Sequence, residues 1–230
     1  LIMRIFFVSA LVASLMVFNA CNSDDGGYVA TDDDEPINTP LTFETNLSDM
    51  GIYAGLLSNL TPDANVHLFD LNSRLFTDYA HKQRLIRMPE GTAMQYNGNS
   101  LLPLFPDNTI ITKTFYYFLD ETNPSLGKKI IETRVLIKTE GTWKIGNYKW
   151  NEAQTDAVYT NNGSQVDVSY MDMNGENQTI DYVIPSNDDC IVCHNIDNVK
   201  LPIGPKLRNM NFNPMNGTVN QNQLNYFILN

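Results

Sequence analysis

From Thr109 onward the apolar positions of the chain recur with a period of two, the spacing that sets alternate side chains on one face of a β-strand. Ile111, Phe115, Tyr117 and Leu119 share one parity. Ile131, Val135 and Ile137 share a parity in the next run, with Glu132 and Arg134 opposite. Between the runs, Asp120 to Lys128 is rich in Asn, Pro, Ser and Gly, which predicts a strand pair joined by more than a tight turn. Glu140-Gly141 turns the chain into Trp143 to Trp150. There Trp143 and Ile145 alternate while Tyr148 and Trp150 take the other parity, so Gly146-Asn147 is predicted to be a bulge that resets the register. Val166, Val168 and Tyr170, then Ile180, Tyr182 and Ile184, flank Asn174-Gly175, the pattern of a hairpin closed by an Asn-Gly turn.

These runs predict a mainly β fold: an antiparallel sandwich or barrel-like domain within residues 42–185, long enough to bury its own core. A short N-terminal helix is predicted over Ser48 to Leu60, where Met50, Ile52, Leu56 and Leu60 recur at helical spacing and Thr61-Pro62 stops the pattern. Asp70 to Tyr79 interleaves polar and aromatic residues. It reads as a hydrogen-bonded loop on the core, with a ligand or Ca²⁺ site as the alternative.

The first 20 residues read as a signal peptide: Arg4 is the positive start, Ile5 to Phe18 is an apolar run too short for a membrane span, and small Ala20 precedes Cys21. Phe18-Asn19-Ala20-Cys21 resembles a bacterial lipobox, although Phe18 and Asn19 depart from the usual residues. Cys21 is therefore a candidate lipid anchor, with ordinary signal cleavage as the alternative. Residues 21–41 form an acidic stretch poor in large apolar residues, expected to be a disordered tether. A cell-envelope protein follows from this reading, periplasmic or surface-exposed and held to the outer membrane by lipid.

The 230 residues carry 15 Lys and Arg against 26 Asp and Glu, a formal charge of −11. Removing the leader takes away Arg4 and no acid. Such a balance argues against nucleic acid as a partner and suits a redox partner with a basic docking face.

The chemistry concentrates in Cys190-Ile191-Val192-Cys193-His194, which has the c-type haem attachment spacing. Each thiol can add to one haem vinyl group, and the histidine that follows is placed to bind iron as the proximal ligand. A structural metal site or a disulfide is the competing reading. The leading stretch Pro185 to Asp189 reads as a polar loop, unlike the strand-to-helix entry of a thioredoxin-type motif. With Cys190 and Cys193 assigned to one covalent haem c and Cys21 to the leader, no cysteine is left for a structural disulfide.

After the motif, Gly204-Pro205-Lys206-Leu207 resembles the Gly-Pro-x-Leu segment of class I cytochromes c. The resemblance implies that the Pro205 carbonyl accepts a hydrogen bond from His194 Nδ1 and that Leu207 packs on the ring. Met210 and Met215 are candidate distal ligands; His67 and His81, the other histidines, read chiefly as core or surface residues. Residues 186–230 thus form the predicted haem-binding segment. Its last residues stop in mid-pattern, so a C-terminal continuation is expected.

More widely, the chain resembles a family of periplasmic or membrane-tethered dihaem c-type cytochromes with a β-rich N-terminal part. The matching stretches include Leu71 to Ala80, Lys113 to Tyr117, Ile131 to Arg134, Trp150 to Ala157, Ile180 to Pro185 and the motif followed by Ile203 to Lys206. The resemblance implies haem binding and electron transfer; only one Cys-x-x-Cys-His is present in this chain. Two other functions stay open. A haem enzyme, peroxidase-like or an oxidase subunit, would need an acid or base such as His67, His81, Glu132 or Asp156 at the iron. A glycan- or partner-binding module would use Trp143, Tyr148 and Trp150.

Overall fold

In the computed structural model, which describes residues 39–98, 101–214 and 221–229, the period-two runs assemble into one six-stranded antiparallel sheet. Its strands lie in chain order: β1 (Val66–Leu68), β2 (His81–Arg87), β3 (Ile110–Phe118), β4 (Lys128–Thr139), β5 (Thr142–Trp150) and β6 (Ala157–Thr160). β1 and β6 are its two edges and do not pair with each other, so the sheet does not close into a barrel. A hairpin of β7 (Ser164–Met171) and β8 (Asn177–Ile184) forms a separate two-stranded layer. The chain is mainly β and antiparallel, as the alternation predicts. Residues from Thr39 on make one compact unit, and the stretch after residue 185 packs directly on the sheet. The leader, Cys21, nearly all of the tether and Met215 lie outside the described residues. Among the described residues no helix is long and apolar enough to cross a membrane.

Both faces of the sheet are buried. On one, Leu85, Ile110, Val135, Ile137, Tyr148 and Trp150 meet Leu47, Met50, Ile52, Tyr53 and Leu60 from the N-terminal segment. On the other, Ile86, Ile111, Leu136, Trp143 and Ile145 pack against Phe69, Leu71, Phe105, Cys190 and Met210. Farther along that second face, Phe115, Tyr117 and Ile131 meet Val168, Tyr170, Tyr182 and Ile184 of the β7–β8 hairpin.

Two-sided burial explains where the alternation pattern misleads. β5 pairs with β4 without interruption from Thr142 to Lys149, so Gly146-Asn147 is not a bulge. Tyr148 and Trp150 are apolar on the second parity because that face has a core of its own. The bulge lies between β3 and β4, where Phe115 pairs Glu132 and Tyr116 pairs Ile130, leaving Ile131 as the extra residue. Ile131 therefore joins the hairpin-side core, apart from Val135 and Ile137. Leu119 lies beyond the end of β3 and is exposed.

The predicted N-terminal helix is instead two 3-10 turns, Leu47–Met50 and Leu57–Asn59. Gly51 and Gly55 between them take φ of 61° and 70°, left-handed values that break a helix. At the other hairpin, Asp172 to Gly175 is a four-residue turn closed by the Gly175 N–H on the Asp172 carbonyl at 3.0 Å, with Gly175 alone at positive φ. That is a three-residue loop ending in a left-handed Gly rather than a two-residue Asn-Gly turn.

Gly146 has a packing reason to be glycine. A Cβ there would lie 2.6 Å from a Phe43 ring carbon and 2.7 Å from a Tyr159 ring carbon. Those rings stack on each other with centroids 5.1 Å apart. Gly146→Ala is expected to lower stability by about 1–3 kcal/mol, the range for overpacking, read as a lower urea midpoint at unchanged slope.

Candidate cofactor site

β8 ends at Ile184, and Pro185-Ser186 leads straight into α1 (Asn187–Cys193). The sequence reading of a polar loop here is corrected: these residues cap a helix. The Asp189 N–H donates to Ser186 Oγ at 3.2 Å and the Ser186 N–H donates to Asp189 Oδ2 at 2.9 Å, a reciprocal capping box. Bonds from Ser186 hold the Asp189 carboxyl below the usual carboxylate range. The Ser-x-x-acid spacing in the sequence was the signal for this helix.

Cys190, Cys193 and His194 are i, i+3 and i+4 along α1 and its C-cap, so all three lie on one side of the helix. Cys190 is buried in the second-face core and Cys193 is exposed; both thiols are free. Burial pushes the Cys190 thiol above its ordinary value, against the Arg134 charge that would lower it. An oxidoreductase CxxC sits at a helix N-terminus, where the dipole favours thiolate. Here the pair occupies the last turn, at the opposite pole.

His194 is held by the turn that follows it. β9 (Asn195–Ile196) and β10 (Val199–Lys200) form a minimal hairpin around Asp197 and Asn198, at φ 51° and 64°. This pair of left-handed residues is the type I′ signature, and Asp and Asn tolerate it better than most residues. The hairpin brings Leu201 back to His194: the Leu201 N–H donates to the His194 carbonyl at 3.0 Å, and His194 Nδ1 contacts the Leu201 carbonyl at 2.8 Å. A carbonyl only accepts, so Nδ1 carries the proton and the neutral ring leaves Nε2 as a lone-pair donor. Burial lowers the His194 pKa, further favouring the neutral ring; the Leu201 bond opposes this, and Lys113 and Arg134 add to it. The carbonyl partner expected from the resemblance was Pro205. The tight hairpin delivers Leu201 first.

Pro205 is buried and Leu207 half-buried at the start of α2 (Leu207–Met210). At Gly204 a Cβ would fall 2.9 Å from Leu71, so the Gly-Pro stretch packs against the loop after β1. That loop is tied down further: the Ser73 N–H donates to Asn209 Oδ1 at 2.8 Å and the Asn72 N–H to the Asn209 carbonyl at 2.9 Å. Met210 is wholly buried in the core. α3 (Gln223–Leu229) closes this end, with the buried Gln223 amide bonded both ways to the Asp70 backbone.

The other nominated residues are engaged elsewhere. His67 Nδ1 contacts the Tyr226 hydroxyl at 3.1 Å and His81 Nε2 contacts Glu121 at 2.8 Å. Asp156 accepts from the Ser48 N–H and hydroxyl. Trp143, Tyr148 and Trp150 are all buried. A cavity of about 800 Å³ beside the β4–β5 turn is walled partly by Phe105, Trp143, Leu201 and Pro202, and its lining includes none of Cys190, Cys193 or His194. Among the described residues no group of three His, Cys, Asp or Glu side chains is placed to hold a metal ion.

Sequence reasoning missed the floor of the site. Cross-strand register aligns Arg84 on β2, Lys113 on β3, Arg134 on β4 and Asn147 on β5 in one row on the second face. The next row holds Lys82, Phe115 and Glu132. Lys82, Lys113 and Arg134 gather around the Phe115 ring, 5.9, 4.9 and 4.6 Å from its centroid. No single stretch of sequence carries this signal, since each member comes from a different strand. No family model, curated protein or solved structure matches the chain.

Glu132 anchors the floor. Fully buried, it accepts from Arg134 Nε at 3.0 Å, from Arg134 Nη2 at 2.6 Å and from the Tyr182 hydroxyl at 2.8 Å. Glu132→Ala leaves a half-buried guanidinium and a buried phenol without their acceptor. It is expected to cost about 3–5 kcal/mol in chemical denaturation, more than Gly146→Ala.

Proposed function

We propose that the chain carries one covalent haem c and transfers electrons. Cys190 and Cys193 are its attachment points and His194 its axial ligand. The observation that carries this reading is the His194 ring: its Nδ1 proton is held by Leu201, which leaves Nε2 as a lone-pair donor on a residue that follows both thiols at helical spacing. Each thiol would add across one vinyl group, sulfur to one carbon and hydrogen to the other, with no oxidant or reductant consumed. When bound, the haem supplies one-electron chemistry, and the residues described here attach it, orient its ligand and set its electrostatic surroundings.

The thiols need not converge on the metal for this, since they bond the porphyrin edge; a zinc site would need them to. The surroundings fit the group. Beside the cationic row, Leu75, Phe76 and Tyr79 stand exposed on the loop that also supplies the carbonyl held by Lys82, an apolar surface suited to cover by a porphyrin face. Stretches that carry the family resemblance meet in this region: Leu71 to Ala80, Lys113 to Tyr117, Ile131 to Arg134 and Ile203 to Lys206. The C-terminal part thus serves as a cytochrome c-like segment laid on a β sheet.

A carrier is preferred to a haem enzyme because His67, His81, Asp156 and Glu132 each have partners that would have to be given up. A carbohydrate module is disfavoured by the buried indoles. Met210 is left out as a distal ligand because it is enclosed in the core; Met215 remains a candidate. The leader and Cys21 support an outer-membrane lipid anchor, and the acidic chain a basic redox partner.

Protein produced with the cytochrome c maturation machinery is expected to give a c-type pyridine haemochrome spectrum that survives acid-acetone extraction. Cys190→Ala/Cys193→Ala should abolish it. A colourless wild type, made where a control cytochrome matures, would overturn the proposal.

A further inference from the structure

The row beneath α1 combines features that ordinary sheet packing does not explain. Lys113 projects onto a buried face with neighbouring cations on both sides, Arg84 and Arg134. Its ammonium has a ring face as its described contact and no hydrogen-bonded acid among the described residues. Burial and the two flanking arginines lower its pKa to about 8, so the fold works against this charge. At the end of the row, Asn147 is 1% exposed, and among the described residues neither its Oδ1 nor its Nδ2 has a partner. A buried amide that leaves both polar atoms unpaired is costly, and an ordered water or another molecule that completes the hydrogen bonding removes that cost.

The charges point to the kind of molecule. Arg84 is paired with Asp70 and Arg134 with Glu132. Among the described residues Lys82 donates to the neutral Leu75 carbonyl alone, and Lys113 has no acid bonded to it. Asp70 also binds Arg74, so two bonded acids face five cations among the described residues, with Asp78 acting on Lys82 and Glu132 on Lys113 without a bond; the balance stays positive in a chain that is strongly acidic overall. The Lys113 and Arg134 charges bear on both Cys190 and His194, so the row lies within electrostatic reach of the attachment motif.

The geometry points to this row as the seat of the haem propionates: Lys113 and Lys82 supply their counter-charges, Arg134 and the Asn147 amide further hydrogen bonds. The inference rests on the haem reading above and adds to it where the two carboxylates lie. It also accounts for the Glu132–Arg134 pair, which keeps the guanidinium fixed at the floor while Lys113 is held for the ligand.

The test is the pH dependence of the reduction potential of the mature holoprotein, in wild type, Lys113→Met, Lys113→Arg and Lys82→Met. Lys144→Met, at an exposed lysine on the β4–β5 turn side, controls for loss of a positive charge. Covalent haem per chain is first measured by pyridine haemochrome. The propionate step in potential against pH is expected to move up by about 1–3 pH units in Lys113→Met. Lys82→Met should move it in the same direction, while Lys113→Arg and Lys144→Met stay close to wild type. If Lys113→Met and Lys82→Met carry full haem and titrate like Lys144→Met, the propionates lie elsewhere and only this inference falls. If wild type carries no haem where a control cytochrome matures, both readings fall together. Should Lys113→Met fail to fold, Lys82→Met decides by the same comparison.

Discussion

The arrangement depends on one buried carboxylate. Glu132 sits on the inner face of the central sheet, where an unpaired charge would be severely penalised. Arg134 from its own strand and Tyr182 from the β7–β8 hairpin remove the penalty together. The second of these bonds links two sheets that share no strand pairing. It helps set where the hairpin lies on the large sheet, and because β8 runs through Pro185-Ser186 into α1, it also helps set where the cysteine-histidine motif begins. The phenol of Tyr182 pays for this position with a strongly raised pKa, driven first by burial and then by the adjacent carboxylate.

From that anchor the site is built by short-range devices. A capping box starts α1, the helix repeat aligns two thiols and an imidazole, and a hairpin of minimal length returns Leu201 to the ring. The surrounding loops are stitched in through Asn209 and Gln223. None of these bonds is individually strong; each is worth about 1 kcal/mol net. Their effect is geometric: the Leu201 bond holds the imidazole tautomer and leaves Nε2 as a lone-pair donor.

The electrostatics run against the rest of the molecule. In an acidic chain, four cations collect on one sheet face; two of them, Lys113 and Arg134, act on the motif, and among the described residues only Arg84 and Arg134 are matched by bonded acids. Self-repulsion of that kind is a cost in the isolated fold. It becomes an asset when an anionic group arrives, because the desolvation has already been met by folding.

The mainly antiparallel fold, the long β3–β4 connection and the β7–β8 pairing were legible in the sequence, because each is written in neighbouring residues: alternation of two and turn residues. The errors arose where local pattern was ambiguous. Alternation cannot say that both faces of a strand are covered, so the apolar Tyr148 and Trp150 passed for a register slip. Gly51 and Gly55 allowed a helix by spacing but took left-handed angles. The Leu201 bond was hidden because it depends on how tightly Asp197-Asn198 turns. What the sequence by itself determined is the candidate motif, because the spacing of Cys190, Cys193 and His194 is written in five neighbouring positions. What only the tertiary structure decided is the ground they stand on: Arg84, Lys113, Arg134 and Asn147 come from separate strands, and strand register alone makes them neighbours.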